Sequence, residues 1–330
     1  MGENTLLESK QYTKRLVVPE AEELIGIPVK CLDYGHVILV DYMGGDKAIV
    51  DAARVSYQSG TKAVSDDRNL IRFLMRHRHT TPFEMVELKF RTKMPIFVAR
   101  QWIRHRTANV NEESARYSIL KEEFYMPLLE DVAEQSKTNR QGRGDIVDPG
   151  QAQRFIDILL EDSIRQYDHY QSALNEDFED TNDGRKYTGK PKDSTKPMIS
   201  RELARIGLTL NTYTSWYWKI DLHNLYHFLG LRMDSRAQKE IRVYADTIAE
   251  IAKKVAPYSY EAFEDYVLNA VTFSSLEIKF MENHGMLEAY TIIKNKLNSQ
   301  LKGGVDLEGV SFSRRELAEY KDKLEKILSK

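Results

Sequence analysis

Residues 86–106 read VELKFRTKMPIFVARQWIRHR, and this stretch decides the fold class. Between Val86 and Met94 the even positions are mostly apolar (Val86, Leu88, Phe90, Met94) and most odd positions are charged. A period of two buries one face and wets the other, which predicts a half-buried strand. Pro95 then suits the first turn of a helix, where a missing N–H costs nothing. The run PIFVARQWIRHR continues that helix, with Gln101 and Arg104 three apart on one face.

Working outward, VKCLDYGHVILV (29–40) is rich in β formers around Tyr34-Gly35, a hairpin pattern. Gly44-Gly45 marks a turn. Residues 66–78 read as a helix with Leu70, Phe73 and Leu74 on one face, and residues 116–120 as a further short strand. Helix resumes at Ser200 with Leu203, Ile206, Gly207 and Leu210 in 3.6-residue period. A second helix carries Leu222, Leu225, Tyr226 and Leu229. A third runs from Ser235 with Ala237, Ile241, Ala245, Ile248 and Ala252 inward. Ser313-Arg314-Arg315-Glu316 is a capping box ahead of Leu317, Tyr320 and Leu324. Residues 131–150 and 176–198 are polar and punctuated by glycine, and read as loops. Strands in the middle and helices elsewhere, without βαβ alternation, predict an α+β fold: a central, mostly antiparallel sheet packed with helices.

The chain has 330 residues, enough for one large domain or two small ones. Its 48 basic and 50 acidic residues leave a net charge of −2, which argues against a dedicated nucleic-acid binder. No run approaches the ~20 apolar residues of a membrane span. The first residues, MGENTLLESKQYTKRL, lack the apolar core of a secretory signal. Cys31 is the only cysteine, so a disulfide framework is excluded and a cytoplasmic location is expected.

The densest polar cluster is QWIRHRTANVNEESARY, 101–117. Three consecutive basic side chains project in three directions, which no single solvated face explains. Arginine offers a planar fork for phosphate or for the carbonyl edge of a base. Asn111, Glu112 and Ser114 add the mixed donors and acceptors that read a polar heterocycle. The alternative is a charged helix end, with cations at the negative pole of the dipole. His223 and His227 have the i, i+4 spacing of zinc ligands. Asn224 stands where a general base would be and no third ligand is evident, so no metal is expected.

Several blocks in order resemble the flavin-dependent thymidylate synthases. They are Arg54-Val55-Ser56-Tyr57, His79-Thr80-Thr81-Pro82-Phe83-Glu84, the run Pro95 to Arg106, and Arg104-His105-Arg106 followed after seven residues by Ser114. Asp221 to His227 and Leu231 to Gln238 complete the set, and the likeness spans roughly residues 45–265. It implies that family's fold over residues 1–265, with insertions near 131–150 and 176–198 and a helical extension of unassigned role at 266–330. It further implies reductive methylation of dUMP to dTMP. 5,10-Methylenetetrahydrofolate would be the carbon donor, NADPH the reductant and FAD the carrier, in a homotetramer whose active sites are shared between subunits.

Residue by residue, the resemblance puts Ser56, His79, Thr81, Arg104, His105, Arg106, Glu112, Asp221, His223 and His227 near FAD. It puts Gln101, Trp102, Ile103, Arg104, Glu112, Glu113, Ser114, Ala115, Arg116, Arg205 and Arg232 near dUMP, with Arg232 as the catalytic cation. Arg236 stands where some members carry histidine. Each has a structural alternative: Ser56 capping a turn, His79 a loop histidine, Arg205 paired with Glu202, Glu112 holding Arg104 or Arg116, Arg232 paired with Asp234. Uracil C5 is a poor nucleophile until electron density is pushed into the ring. Cys31 lies in a hydrophobic β-like segment far from every block, which leaves electrostatic activation by a fixed cation. The rival readings are another flavin or nucleotide enzyme reusing the pocket, a nucleic-acid module built on Arg68, Arg72, Arg76, Arg104 and Arg106, and a structural oligomer subunit.

Overall fold

A computed structural model describes residues 15–55, 66–137, 142–181, 184–283, 287–300, 305–307 and 310–328; Ser56 lies outside them. Strands β1 (Pro28–Cys31), β2 (Gly35–Met43), β3 (Glu87–Pro95) and β4 (Asn109–Glu112) come first. Strands β5 (Ala133–Gln135) and β6 (Arg143–Ile146) pair as one hairpin, β7 (Glu176–Thr181) and β8 (Gly184–Pro191) as another. Strand β9 (Tyr213–Asp221) completes a five-stranded sheet of order β1-β2-β3-β9-β4, antiparallel throughout.

The alternation read from residues 86–94 is what builds this sheet. Leu88, Phe90, Thr92 and Met94 are buried and stand opposite Ile220, Trp218, Trp216 and Thr214 of β9, all buried as well. In β2 a bulge between Leu39 and Asp41 adds one residue, so Val37 and Leu39 before it and Tyr42 after it all face the core. Gly35 is required at the β1–β2 corner. A Cβ there would stand 2.0 Å from the Tyr244 hydroxyl, which donates to the Lys93 carbonyl at 2.9 Å.

The helices of this unit are α1 (Pro19–Glu22), α2 (Asp46–Arg54), α3 (Asp67–Arg76), α4 (Thr81–Glu84), α5 (Ile96–Trp102), α6 (Pro149–Leu174), α7 (Arg201–Ala204), α8 (Leu222–Arg232), α9 (Lys239–Val255) and α10 (Pro257–Phe263). Helices α8 and α9 bury the apolar stripes expected of them, Leu222, Leu225, Tyr226 and Leu229 on one, Ile241, Ala245, Ile248 and Ala252 on the other. Trp102 sits fully buried among Trp216, Trp218 and Phe228, with ring centroids 5.1–5.4 Å apart. Truncating such a side chain costs about 3–5 kcal/mol, so the end of α5 is rigidly placed.

Several local expectations are corrected. Residues 116–120 form no strand: the chain turns after β4, with the Tyr117 and Ser118 amides both donating to Ser114 O at 3.0 Å. Pro95 ends β3 and caps α5 instead of entering its first turn, because its φ of −62° and ψ of 145° are still extended. The third helix begins at Lys239, not Ser235, since the Asp234 carboxylate accepts from the Arg236 amide at 2.8 Å and closes a turn first. Residues 131–150 and 176–198, read as loops, contain the two hairpins.

The chain divides between Phe263 and Glu264. The second unit carries α11 (Ser275–Asn283), α12 (Leu287–Gln300), the hairpin β10 (Val305–Leu307) with β11 (Val310–Phe312), and α13 (Arg314–Leu328). The capping box forms as read: the Ser313 amide donates to Glu316 at 2.8 Å and the Glu316 amide to Ser313 Oγ at 3.2 Å. Leu317 and Leu324 are buried against Tyr290 and Tyr320. Among the described residues no helix is long and apolar enough to cross a membrane.

Candidate active site

Helix α5 unwinds after Trp102, and three backbone bonds tighten the exit: Ile103 to Ala99 O, Arg104 to Gln101 O and His105 to Trp102 O, at 2.9, 3.3 and 3.0 Å. This turn sorts the cluster. Trp102 goes into the core, Gln101 and His105 are half-buried, and Ile103, Arg104 and Arg106 are exposed. Trp102 was expected beside ligand; its indole is a core side chain. Ala115 is buried likewise.

His105 meets the end of α8. Arg232 Nε donates to His105 Nε2 at 2.9 Å, and the ring stands edge-on to Phe228 at 4.9 Å. Burial, with the Arg232 and His227 charges adding to it, pushes His105 down to about 4. The imidazole is therefore neutral at neutral pH, accepting at Nε2 and protonated at Nδ1. Arg232 is half-buried, and burial lowers its pKa from the ordinary arginine value. Asp234 pairs with Arg236 at 2.9 Å, not with Arg232.

Gln101 and Arg232 line a cavity of about 870 Å³ with Arg236, Gln238, Lys239 and Arg242, walled on another side by Asp131 and Arg143. Gln101 Nε2 donates to Gln238 Oε1. Lys239 pairs with Asp131, and the Glu240 carboxylate accepts from Arg143 and, at 2.8 Å, from the Tyr125 hydroxyl. Burial raises the Glu240 pKa, but the bonds from Arg143 and Tyr125 outweigh it and hold the carboxyl below its ordinary value.

The remaining nucleotide candidates gather elsewhere on the chain. Glu112 and Glu113 line a second cavity of about 480 Å³ with Arg91, Lys93 and Tyr217. Glu112 accepts from Thr214 Oγ1 at 2.8 Å, so its protein partner is neither Arg104 nor Arg116. The turn at Ser114 is tied to α7: Arg116 reaches Glu202 at 3.6 Å, and Arg201 donates to Tyr117 O at 2.5 Å. Glu202 is thus the partner of Arg116, not of Arg205, which sits half-buried in the 3₁₀ turn after α7.

The third group is histidine-rich. Helix α3 ends with Arg78 N–H on Met75 O and His79 N–H on Leu74 O, at 3.1 and 2.9 Å, a Schellman closure with Arg78 at φ 56°. That closure leaves His79 exposed, 5.7 Å from the Phe73 ring. Thr81, also exposed, opens α4. Asp221 caps α8, accepting from the Asn224 amide at 2.9 Å and from its side chain at 2.6 Å. His223 is half-buried one turn from exposed His227, whose ring lies 6.2 Å from His105. Among the described residues no three His, Cys, Asp or Glu gather as a metal site.

The exposed His79 and His227, the half-buried His223, the neutral half-buried His105 and the exposed Arg104 and Arg106 suit a flat heterocycle carrying a pyrophosphate, so the donor set fits a flavin dinucleotide. Cys31 does not join any of these groups. It is 1% exposed, its Sγ lies 3.3 Å from Thr247 Oγ1, and burial pushes the thiol up to about 11. Sequence reading gave no role to Gln238, Glu240, Arg143 or Tyr125. Gln238 was visible in the last block; the other three come from a polar hairpin, the first turn of a helix and a loop that no pattern joins.

The chain was compared with known proteins. The family model described as "Thymidylate synthase complementing protein" matches residues 38–258. The chain is 55% identical over 269 residues to a flavin-dependent thymidylate synthase of Gluconobacter oxydans (strain 621H), covering 82% of this chain and 83% of the relative. It is 54% identical over 264 residues to one of Ehrlichia ruminantium (strain Gardel), covering 80% and 82%. Among solved structures, a UMP/dUMP methylase PolB from Streptomyces cacaoi bound with 5-Br dUMP superposes with a TM-score of 0.59 at 30% identity, covering 73% of this chain and 99% of that one. The chain belongs to the flavin-dependent thymidylate synthase family.

Proposed function

We propose that this protein methylates dUMP to dTMP, with 5,10-methylenetetrahydrofolate as carbon donor, NADPH as reductant and FAD as the flavin, and without a cysteine nucleophile. The observation that carries the reading is the Arg232–His105 pair at the edge of the cavity that Gln101 shares. A guanidinium anchored through Nε keeps its two Nη groups free to meet the pyrimidine edge. Negative charge that develops on the ring when C5 becomes nucleophilic is then met by a cation already in place. Neutral His105 supports this by accepting from Arg232 without repelling it. The flavin, when bound, supplies the hydride chemistry. His79, His223 and His227, with Arg104 and Arg106, would hold it, and Asp221 has lone pairs left for ribose hydroxyls.

On one chain Gln101 and Arg232 line one cavity, while Ser114 and Arg116 lie in a turn tied through Arg201 and Glu202 to α7, the helix that Arg205 follows in sequence. That division suits a homotetramer in which one subunit supplies the first group and a neighbour the second. The test is direct. The purified protein should show a flavin absorbance spectrum and form dTMP from dUMP when given methylenetetrahydrofolate and NADPH. A flavin-loaded protein that forms no dTMP would refute the reading.

A further inference from the structure

Of the cations that line the cavity of Gln101 and Arg232, most have protein partners. Arg143 is paired with Glu240, Lys239 with Asp131 and Arg236 with Asp234, and Arg232 Nε is committed to His105. Arg242 differs. Among the described residues it makes no hydrogen bond and no ion pair, and its Nε is buried without an acceptor. Asp234 and Asp246 feel its charge, yet neither comes within ion-pair distance of it, and Asp234 is held by both Nε and Nη2 of Arg236. A surface arginine held only by water does not bury its Nε. A half-buried guanidinium that no protein group neutralises is costly to keep. An anion that arrives with a ligand would remove that cost.

The rest of the wall selects the kind of anion. Glu130 and Glu134 line the same cavity, are exposed, and pair with no cation among the described residues. Their charge opposes a dianionic phosphate about twice as strongly as a single carboxylate. A guanidinium fork matches a carboxylate in shape as well as in charge. Arg242 also stands four residues beyond Gln238, whose side chain meets Gln101. Four residues are one turn, about 6 Å along the axis of α9. The cation is therefore set back from the Gln101 end of the cavity, with room for a spacer between the reacting atoms and the charge.

We propose that Arg242 binds a carboxylate of the carbon donor, taking the glutamate end of methylenetetrahydrofolate in the cavity that also receives the pyrimidine. The chemistry of that molecule fits the layout. Its reacting carbon must reach uracil C5, and its carboxylates lie beyond a rigid aminobenzoyl spacer. Holding the far end orients the near one, so binding at Arg242 serves the transfer without touching the reacting atoms. This inference rests on the reading of the cavity as the dUMP site.

The experiment measures, by calorimetry on the protein loaded with flavin and dUMP, Kd for 5-formyltetrahydrofolate and for its diamide. The first is a stable stand-in for the carbon donor; the second has the same size with both carboxylates turned into neutral amides. Wild type should bind the acid at least about tenfold more tightly than the diamide, the worth of one charge-assisted pair. Arg242→Gln should weaken the acid by that factor and leave the diamide within about threefold, which isolates the pair as a double-mutant cycle does. Arg242→Lys should keep only part of the preference, because it retains the charge without the fork. Equal affinities in wild type, an unchanged ratio in Arg242→Gln, or equal loss of both ligands overturns the proposal. So does an Arg242→Gln variant that keeps the ratio but loses its preference for NADPH over NADH, since the anion met there would be a phosphate. If Arg242→Gln fails to fold, Arg242→Lys decides: the ratio must fall at least about threefold, and an unchanged ratio refutes the idea. Wild-type protein that binds no dUMP would overturn the dUMP reading and this inference with it, whereas tight dUMP binding with equal acid and diamide affinities overturns this inference alone.

Discussion

Replacing Arg232 by alanine removes one guanidinium whose position is set from behind. Nε is committed to His105 at 2.9 Å, and the side chain is half-buried at the end of α8. On the proposed mechanism, what is lost is the pair of Nη groups that would meet developing charge. A preorganised donor of this kind contributes about 2.7–4 kcal/mol to the transition state, a factor of about 10²–10³ in turnover. Initial rates of dTMP formation at saturating dUMP, normalised to flavin content, should fall by that amount. Flavin should stay bound, and NADPH should still reduce it without dUMP. Arg232→Lys should recover only part of the loss, because one ammonium cannot both reach His105 and present a planar fork. The imidazole gives an independent readout. Its pKa is lowered from 6.5 to about 4 by burial first and by Arg232 second, so Arg232→Ala should raise it, as NMR titration would show. Between about 4 and 6.5 the unfolded chain binds a proton that the folded one refuses, so acidification through that window destabilises the wild type, and the variant less. Turnover of Arg232→Ala within a few-fold of wild type, or a defect confined to lost flavin, would refute the electrostatic mechanism.

Two further outcomes follow from the same geometry. Arg232→Ala and Arg205→Ala alter the two separate groups, so each alone should be nearly inactive, yet subunits mixed by unfolding and refolding together should regain part of the wild-type rate. No recovery in demonstrably mixed oligomers would place both groups in one chain's site. Arg78→Gly should stabilise the protein by about 0.5–1 kcal/mol in urea unfolding, because glycine adopts the left-handed conformation at the end of α3 without strain. A loss of stability there would mean that the Arg78 side chain holds something.

What was legible in the sequence was whatever had one wet face. Strand β3 announced itself because Glu87, Lys89, Arg91 and Lys93 alternate with Leu88, Phe90, Thr92 and Met94. Its partner β9 did not: Trp216, Tyr217 and Trp218 are aromatic in succession, so no polar alternation marks the buried side. Helix α6 was missed for a related reason. Phe155, Ile158, Leu160 and Ile164 are all substantially exposed, which blurs the apolar stripe that would have betrayed it. The hairpins β5–β6 and β7–β8 lie in stretches too polar to show a buried face. The site was legible as a set of residue types in blocks. Which of them meet was not, because Arg232 and His105 are 127 positions apart and only the packing of α8 against the end of α5 joins them. Trp102, inside a promising block, proved to be core for the same reason that makes the block rigid.

The central claim is that thymidylate forms here without a cysteine nucleophile, and Cys31→Ala tests it most directly. The thiol is buried beside Thr247, away from Gln101, Arg232 and the histidines, and its substitution should cost stability modestly, about 1 kcal/mol. With dUMP, methylenetetrahydrofolate and NADPH, flavin-loaded Cys31→Ala should form dTMP at a rate near wild type. Complete loss of dTMP formation, with fold and flavin content intact, would contradict the claim.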